Sequence, residues 1–247
     1  MNRLMIIPAA GLGTRLASPL PKVLFKVNER PMIDYLFDLY KSVIDKFVIV
    51  LHPSFADEVR AYCNNHQVRV EFVIQMIPTG MLDAILLVRD TVEREQPEHI
   101  WITWCDQIGV QPRTVSALKN LTAQQPAAAM TFPTILRKQP YIHFVRNEND
   151  RIIGILQRRE GDDMPEPGEN DVGLFSLSLC TYLEQLTEFA QHEEVGIQTG
   201  ERNFLPFIPW LSARKRVLTL DAVQVSESMG INSQQDVRNL APHLNKL

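Results

Sequence analysis

Four consecutive apolar residues, Leu4-Met5-Ile6-Ile7, run directly into Pro8-Ala9-Ala10-Gly11-Leu12-Gly13-Thr14-Arg15, and Leu20-Pro21-Lys22 follows. An apolar run bounded in this way predicts a buried strand with a loop leaving its carboxyl end. The loop opens with two small residues, Ala9 and Ala10, and then offers Gly11 and Gly13. Small side chains let backbone N–H groups approach a phosphate, and glycine accepts the positive φ that such turns often need. Arg15 and Lys22 bring two cations to the same loop. The combination predicts a cradle for a nucleoside triphosphate.

Two familiar phosphate loops do not fit. A dinucleotide fingerprint needs a small residue where Leu16 stands and an acid near the end of the second strand, where His52 and Pro53 stand. The Walker pattern needs Gly-Lys-Ser/Thr, which is absent. Taken alone, Gly-Leu-Gly-Thr-Arg also suits an ordinary strand-to-helix turn; Pro21-Lys22 tips the balance.

Ala9-Ala10-Gly11-x-Gly13-Thr14-Arg15 followed by Leu20-Pro21-Lys22 resembles the signature of the sugar-1-phosphate nucleotidyltransferases, the nucleoside-diphosphate-sugar pyrophosphorylases. The nearest likeness is to the uridylyltransferase half of the bifunctional N-acetylglucosamine-1-phosphate enzymes. The resemblance implies an α/β fold: a Rossmann-like, mostly parallel sheet flanked by helices, with inserted β-hairpin elements for the acceptor.

Composition agrees with an ordinary globular α/β protein: 247 residues, 45% hydrophobic and 22% charged. A net charge of −4 argues against nucleic acid as a partner, so the basic first loop suits a small anionic ligand. Cys63, Cys105 and Cys180 show no metal spacing and cannot all pair, which predicts a reducing cytoplasm. No signal peptide precedes the first strand, and no apolar run approaches the length of a membrane span. The oligomeric state, a homo-oligomer included, is left open.

Along the first half, helical spacing over 32–43 follows Pro31, and strands are expected at 47–51, 70–74, 99–103 and 127–132. Ser54 with Asp57 predicts a helix cap, Thr79-Gly80 opens a helix to about Glu93, and Pro112 starts another. The alternation predicts a parallel sheet covered on both faces, with ligands at its carboxyl ends. Residues 1–135 are expected to form the nucleotide-binding core, and 136–247 the acceptor-binding and closing elements of the same domain. In the second part, 142–145 and 151–156 flank Asn147-Glu148-Asn149-Asp150 as a hairpin. An exposed loop is expected at 160–169, a strand at 172–177, then an amphipathic helix through Leu183 and Phe189. The apolar stretch 204–211 suits core packing, with a lid or a subunit contact as alternatives. One or two strands are expected at 217–225, and Ser233 with Asp236 caps a last helix.

Asp106 ends a predicted strand in uncharged surroundings, which suits either Mg²⁺ held jointly with substrate phosphates or a simple turn cap. By the resemblance, Asp106 and Asn232 are the Mg²⁺ ligands, although Cys105 stands where the family usually has glycine. Gln75, Thr79 and Gly80 match the base-reading segment, here two residues shorter and carrying Pro78. Asp171 stands at the family's sugar-holding asparagine, Gln157 at a glutamate, and His143, or Ile142, at a glycine. These departures predict that N-acetylglucosamine 1-phosphate is a poor acceptor. The six histidines lack paired metal spacing, Cys105 lacks a base, Trp101 and Trp104 suit core or rim, and Glu93-Arg94-Glu95 suits a solvated helix end.

The implied reaction is transfer of a nucleotidyl group from a nucleoside triphosphate to a small phosphorylated acceptor. Arg15 would neutralise the triphosphate and leaving pyrophosphate, Lys22 the α-phosphate and incoming phosphate, and backbone around 11–14 would hold the β- and γ-phosphates. A non-sugar acceptor such as phosphocholine, or a nucleotide-sugar-binding subunit without turnover, are the alternatives.

Overall fold

The computed structural model describes residues 2–11, 16, 18 and 20–244. Strand β1 (Arg3–Ala9) grows from the predicted apolar run. Lys22–Leu24 forms one 3₁₀ turn, and β2 (Lys26–Val27) pairs with β3 (Arg30–Pro31) in a small ribbon. Helix α1 (Met32–Tyr40) follows, then β4 (Lys46–Leu51), α2 (Pro53–Cys63), β5 (Val70–Ile74), α3 (Met81–Leu86) and α4 (Arg89–Glu95). β6 (His99–Thr103), α5 (Pro112–Gln124) and β7 (Met130–Arg137) complete the alternating part.

β8 (Ile142–Arg146) and β9 (Ile152–Gln157) form the expected hairpin as a separate two-stranded sheet. β10 (Gly168–Asp171) and β11 (Leu174–Ser178) return to the main sheet. A π-helical turn at Thr181–Gln185 leads into α6 (Leu186–Ala190), followed by α7 (Phe207–Ser212), β12 (Val217–Asp221) and α8 (Gln234–Leu244).

Among the described residues the main sheet has eight strands. β5, β4, β1 and β6 are parallel neighbours in that order. β10 and β11 follow one another antiparallel along one side of β7, β11 also pairs with β6, and β12 runs parallel along the other side of β7. The carboxyl ends of β5, β1, β6 and β7 therefore share one edge, in that order across the sheet. Side-chain alternation covers both faces. Met5, Ile7, Phe47 and Ile49 join a core beneath α1, α2, α5 and α8. Leu4, Ile6, Val48 and Val50 join a second core beneath α3, α4, α6 and α7.

Several boundaries differ from expectation. Pro53 takes the first position of α2, and His52 rather than Ser54 caps it by accepting the Ser54 N–H at Nδ1. The helix predicted from Gly80 to Glu93 divides at Leu87-Val88, while Ile85, Val88 and Val92 all stay buried on the core side. β7 starts later and extends to Arg137. The exposed loop ends before Gly168, which is buried in β10. A single strand occupies the 217–225 region. Phe204, Phe207, Ile208 and Leu211 are fully buried, so that stretch is core rather than lid or subunit contact. Trp101 is buried core and Trp104 lies at the cleft rim. Glu93 and Arg94 are exposed at the end of α4 as expected, with Arg94 and Glu95 ion-paired with Glu71 and Lys46. No helix among the described residues is long and apolar enough to cross a membrane, and all three thiols are free.

Candidate active site

A cleft of about 920 Å³ opens along the carboxyl edge of the sheet. Ala9, Ala10 and Gly11 line it from the end of β1, Gln75 from β5, and Asp106 from β6. At its centre the Lys22 ammonium donates to Asp106 Oδ2 at 2.5 Å and to Asn232 Oδ1 at 2.9 Å. The Lys22 and Asp106 side chains are only 15% and 12% exposed, so this is a largely desolvated ion pair.

Local chemistry holds the three residues in register. Lys22 opens the 3₁₀ turn behind Pro21. Ile231 donates its N–H to the Asp106 carbonyl at 3.3 Å. A Cβ on Gly230 would lie 3.2 Å from Asp106 Oδ2, closer than a side chain normally sits. Asn232 is fixed by the predicted cap: its N–H donates to Asp236 Oδ2 at 3.0 Å, and Ser233 Oγ bonds the same oxygen. Behind them, the fully buried Glu227 accepts from the backbone N–H groups of Gln111, Val223 and Gln224 at 2.9, 2.6 and 2.8 Å. That carboxylate clamps the loop after Asp106 to the loop before Asn232, and its full set of N–H donors offsets the cost of burial.

The base-reading candidates divide. Gln75 is buried and donates Nε2 to the Gly80 carbonyl at 3.3 Å. Gly80 also lines the cleft, at φ +131°, with the Arg202 backbone 2.3 Å from where a Cβ would be. Thr79 does not line the main cleft. It faces the neighbouring shallow hollow with Met76 and Ile77, and its carbonyl accepts from Arg202 N–H. Gly13, Thr14 and Arg15, the remaining predicted triphosphate residues, lie outside the described residues.

Of the acceptor candidates, Asp171 and Ile142, the alternative to His143, line the cleft. Asp171 Oδ1 accepts from Gly173 N–H at 2.5 Å. Burial pushes its carboxyl up to about 6, with Asp106 adding to the rise and Gly173 N–H and Arg137 opposing it. His143 lies off the cleft, where its Nδ1 accepts from Glu169 N–H at 2.9 Å; Ile142 lines the cleft instead. Gln157 is also off the cleft, and its N–H binds Asp162. Cys105 lines the cleft as a thiol pushed up to about 12 by burial, which leaves it no role as a nucleophile at neutral pH.

The sequence reading missed Arg137, Arg158 and Arg159, all in the cleft lining. Arg137 ends β7 as Asp106 follows β6, so the rule that found Asp106 would have found it had β7 been extended past Phe132. Asn170, beside Asp171, accepts from Tyr141 and Ile142 N–H at 2.9 and 3.1 Å and so shapes the wall between hairpin and sheet.

Asp106 and Asn232 offer two hard oxygen donors already converging on one cation, the Lys22 ammonium. A small divalent ion completing its shell with phosphate oxygens and water suits such a pair.

The chain is similar in sequence and in fold to known proteins. The bifunctional protein GlmU of Blochmanniella pennsylvanica is 24% identical over 249 residues, covering 97% of this chain and 52% of that protein. GlmU of Desulfitobacterium hafniense DCB-2 is 26% identical over 234 residues, covering 93% and 49%. The chain thus spans about half the length of these curated relatives. A crystal structure described as a glucose-1-phosphate thymidylyltransferase from Bacillus anthracis superposes with a TM-score of 0.77 over 99% of this chain and 96% of that one. Its 17% identity makes it a likeness of fold. The sequence pattern of the MobA-like NTP transferase domain matches residues 5–166, so the chain is a member of that family.

Proposed function

We propose that the protein transfers a nucleoside monophosphate from a nucleoside triphosphate to a sugar 1-phosphate, with release of pyrophosphate. The observation that carries this reading is the Lys22–Asp106–Asn232 junction beside the small-residue loop at the end of β1. The curated relatives and the fold neighbour support it. An acceptor phosphate oxygen forms a bond to the α-phosphorus as the bond from that phosphorus to the bridging oxygen of pyrophosphate breaks.

The nucleophile needs no base, since a phosphate monoester has its second pKa near about 6 and is largely dianionic at neutral pH. Catalysis rests on alignment and charge neutralisation. Lys22 stabilises the α-phosphate and the incoming phosphate, the backbone of residues 9–11 approaches the triphosphate, and Gln75 presents its amide to the base. Arg15 is assigned the β- and γ-phosphates. Asp106 and Asn232 would hold Mg²⁺, which supplies charge neutralisation at the reacting phosphates when bound. We assign residues 1–135 to the nucleotide and 136–247 to the acceptor, and place the reaction in the cytoplasm, which suits three free thiols. With His143 and Gln157 off the cleft, Asp171 and Ile142 are the departures that support discrimination against N-acetylglucosamine 1-phosphate.

The test is pyrophosphate release from each triphosphate paired with a panel of sugar 1-phosphates, N-acetylglucosamine 1-phosphate and phosphocholine. A sugar 1-phosphate should be the best acceptor, chelator should abolish turnover, and Asp106→Asn should lower it by about 100- to 1,000-fold. Turnover that persists in excess chelator removes the metal. Preference for phosphocholine removes the sugar.

A further inference from the structure

We infer that Arg137 is the residue that grips the acceptor's own phosphate, an assignment that rests on the nucleotidyl-transfer reading above. Its position comes first. Across the carboxyl edge, the β1 loop and Gln75 lie on one side of Asp106, and Arg137, at the end of β7, lies on the other. Only β11 intervenes between β6 and β7. At about 4.8 Å per strand, Arg137 springs from a strand about 10 Å along the edge from the one that carries Asp106. That is the acceptor side of the reacting phosphorus.

The charges of the wall point the same way. Each carboxylate in the cleft lining has a protein donor or cation: Asp106 has Lys22, Asp171 has Gly173 N–H, Asp236 has Asn232 N–H, and Glu201 has Arg159. Arg137 is the converse. It is half-buried, donates Nη1 to the Ser228 carbonyl at 3.1 Å, and pairs with no carboxylate among the described residues. Burial holds its guanidinium below the ordinary value, Asp171 and Asp236 offset part of that loss from a distance, and Arg158 deepens it.

A partly desolvated guanidinium with donors left over is complementary to a phosphate, whose oxygens match its planar fork. A phosphate entering here would offset the burial cost of Arg137. The same contact would orient the dianion towards the Lys22 corner. Because Ser228 lies two residues before Gly230, Arg137 also ties the phosphate it binds to the loop that carries Asn232.

The probe is inorganic phosphate, titrated into full-length protein saturated with a non-hydrolysable nucleoside triphosphate analogue. Wild type should bind it. Arg137→Gln should weaken that binding at least tenfold while leaving analogue affinity within twofold. Arg137→Lys, which keeps the charge and loses the fork, should fall between. In turnover, Arg137→Gln should raise KM for the acceptor far more than it lowers kcat. The inference is overturned if wild type binds no phosphate, if all three proteins bind it equally, or if analogue affinity falls in parallel with phosphate affinity. A tether to Ser228 alone would lower thermal stability and leave phosphate affinity at the wild-type value. Failure of the transfer reading looks different: no pyrophosphate release with any acceptor, whatever stands at 137.

Discussion

Gly11 and Gly80 both line the cleft, for opposite reasons. A Cβ on Gly80 would overlap the Arg202 backbone at 2.3 Å, so that glycine serves the fold. Among the described residues, a Cβ on Gly11 would meet nothing within 4 Å, so none of them requires glycine there. If the proposed triphosphate cradle is right, Gly11→Ala should keep the wild-type melting temperature and weaken triphosphate binding at least tenfold, since the added methyl would stand in the space assigned to the ligand. Calorimetry and a thermal melt on the same sample check it; unchanged binding would take Gly11 out of the cradle. Among the residues that line the cleft, Ala9, Ala10 and Gly11 were legible as small residues after a strand, whereas Asn232 was reached through the family resemblance, its local pattern reading only as a cap. Arg137 carries no local signal. It reaches the cleft because β7 extends to it, and that end is fixed by pairing with β10 from a later part of the chain.

Between β5, β4 and α4 the charges form a network. Lys46 Nζ lies 2.6 Å from Glu71 and 2.7 Å from Glu95, Arg94 lies 2.5 Å from Glu71, and Thr91 Oγ1 donates to Glu71 at 2.6 Å. Burial alone would raise the Glu71 carboxyl; Lys46, Thr91 and Arg94 outweigh it and bring it from 4.5 to about 2. A depressed carboxylate adds stability above its unfolded value and loses it as pH falls through the folded one. Wild type should lose this contribution as pH falls from about 4.5 to about 2, and Glu71→Gln should show a flatter profile over that window. At neutral pH the cost of the substitution should stay near about 1 kcal/mol, because the pair is partly open to solvent. Denaturant midpoints against pH decide it; parallel profiles would dismiss the network. The elements themselves were largely legible, because strand and helix periods differ along β1, β4, β6 and α1. Their ends were not. His52 takes the α2 cap in place of Ser54, and the break at Leu87-Val88 is invisible to periodicity because Ile85, Val88 and Val92 keep helical spacing across it.

At the scale of the molecule, an aromatic cluster joins the second core to the cleft. Phe207 packs on Phe189, Phe204 and Trp210 at 5.4, 5.9 and 5.9 Å between ring centres, and Trp104 on the cleft wall meets Phe204 at 6.0 Å. Phe207→Ala should cost about 3–5 kcal/mol. The loss should be the same at protein concentrations tenfold apart; a concentration-dependent midpoint would return this segment to a subunit contact. Strand–helix alternation made the parallel half of the sheet predictable. The return of β10, β11 and β12 to it depends on long-range pairing that no window of sequence displays.

The cation junction draws Lys22 from the beginning of the chain, Asp106 from its middle and Asn232 from near its end. A ribosome therefore releases the parts of this site in three instalments. A nascent chain paused after β7 holds Lys22 and Asp106 but lacks Asn232 and the Glu227 clamp beside it. Asn232 and Glu227 are the last of these contacts to be supplied, so the junction closes only when the chain from Lys22 to Asn232 has folded.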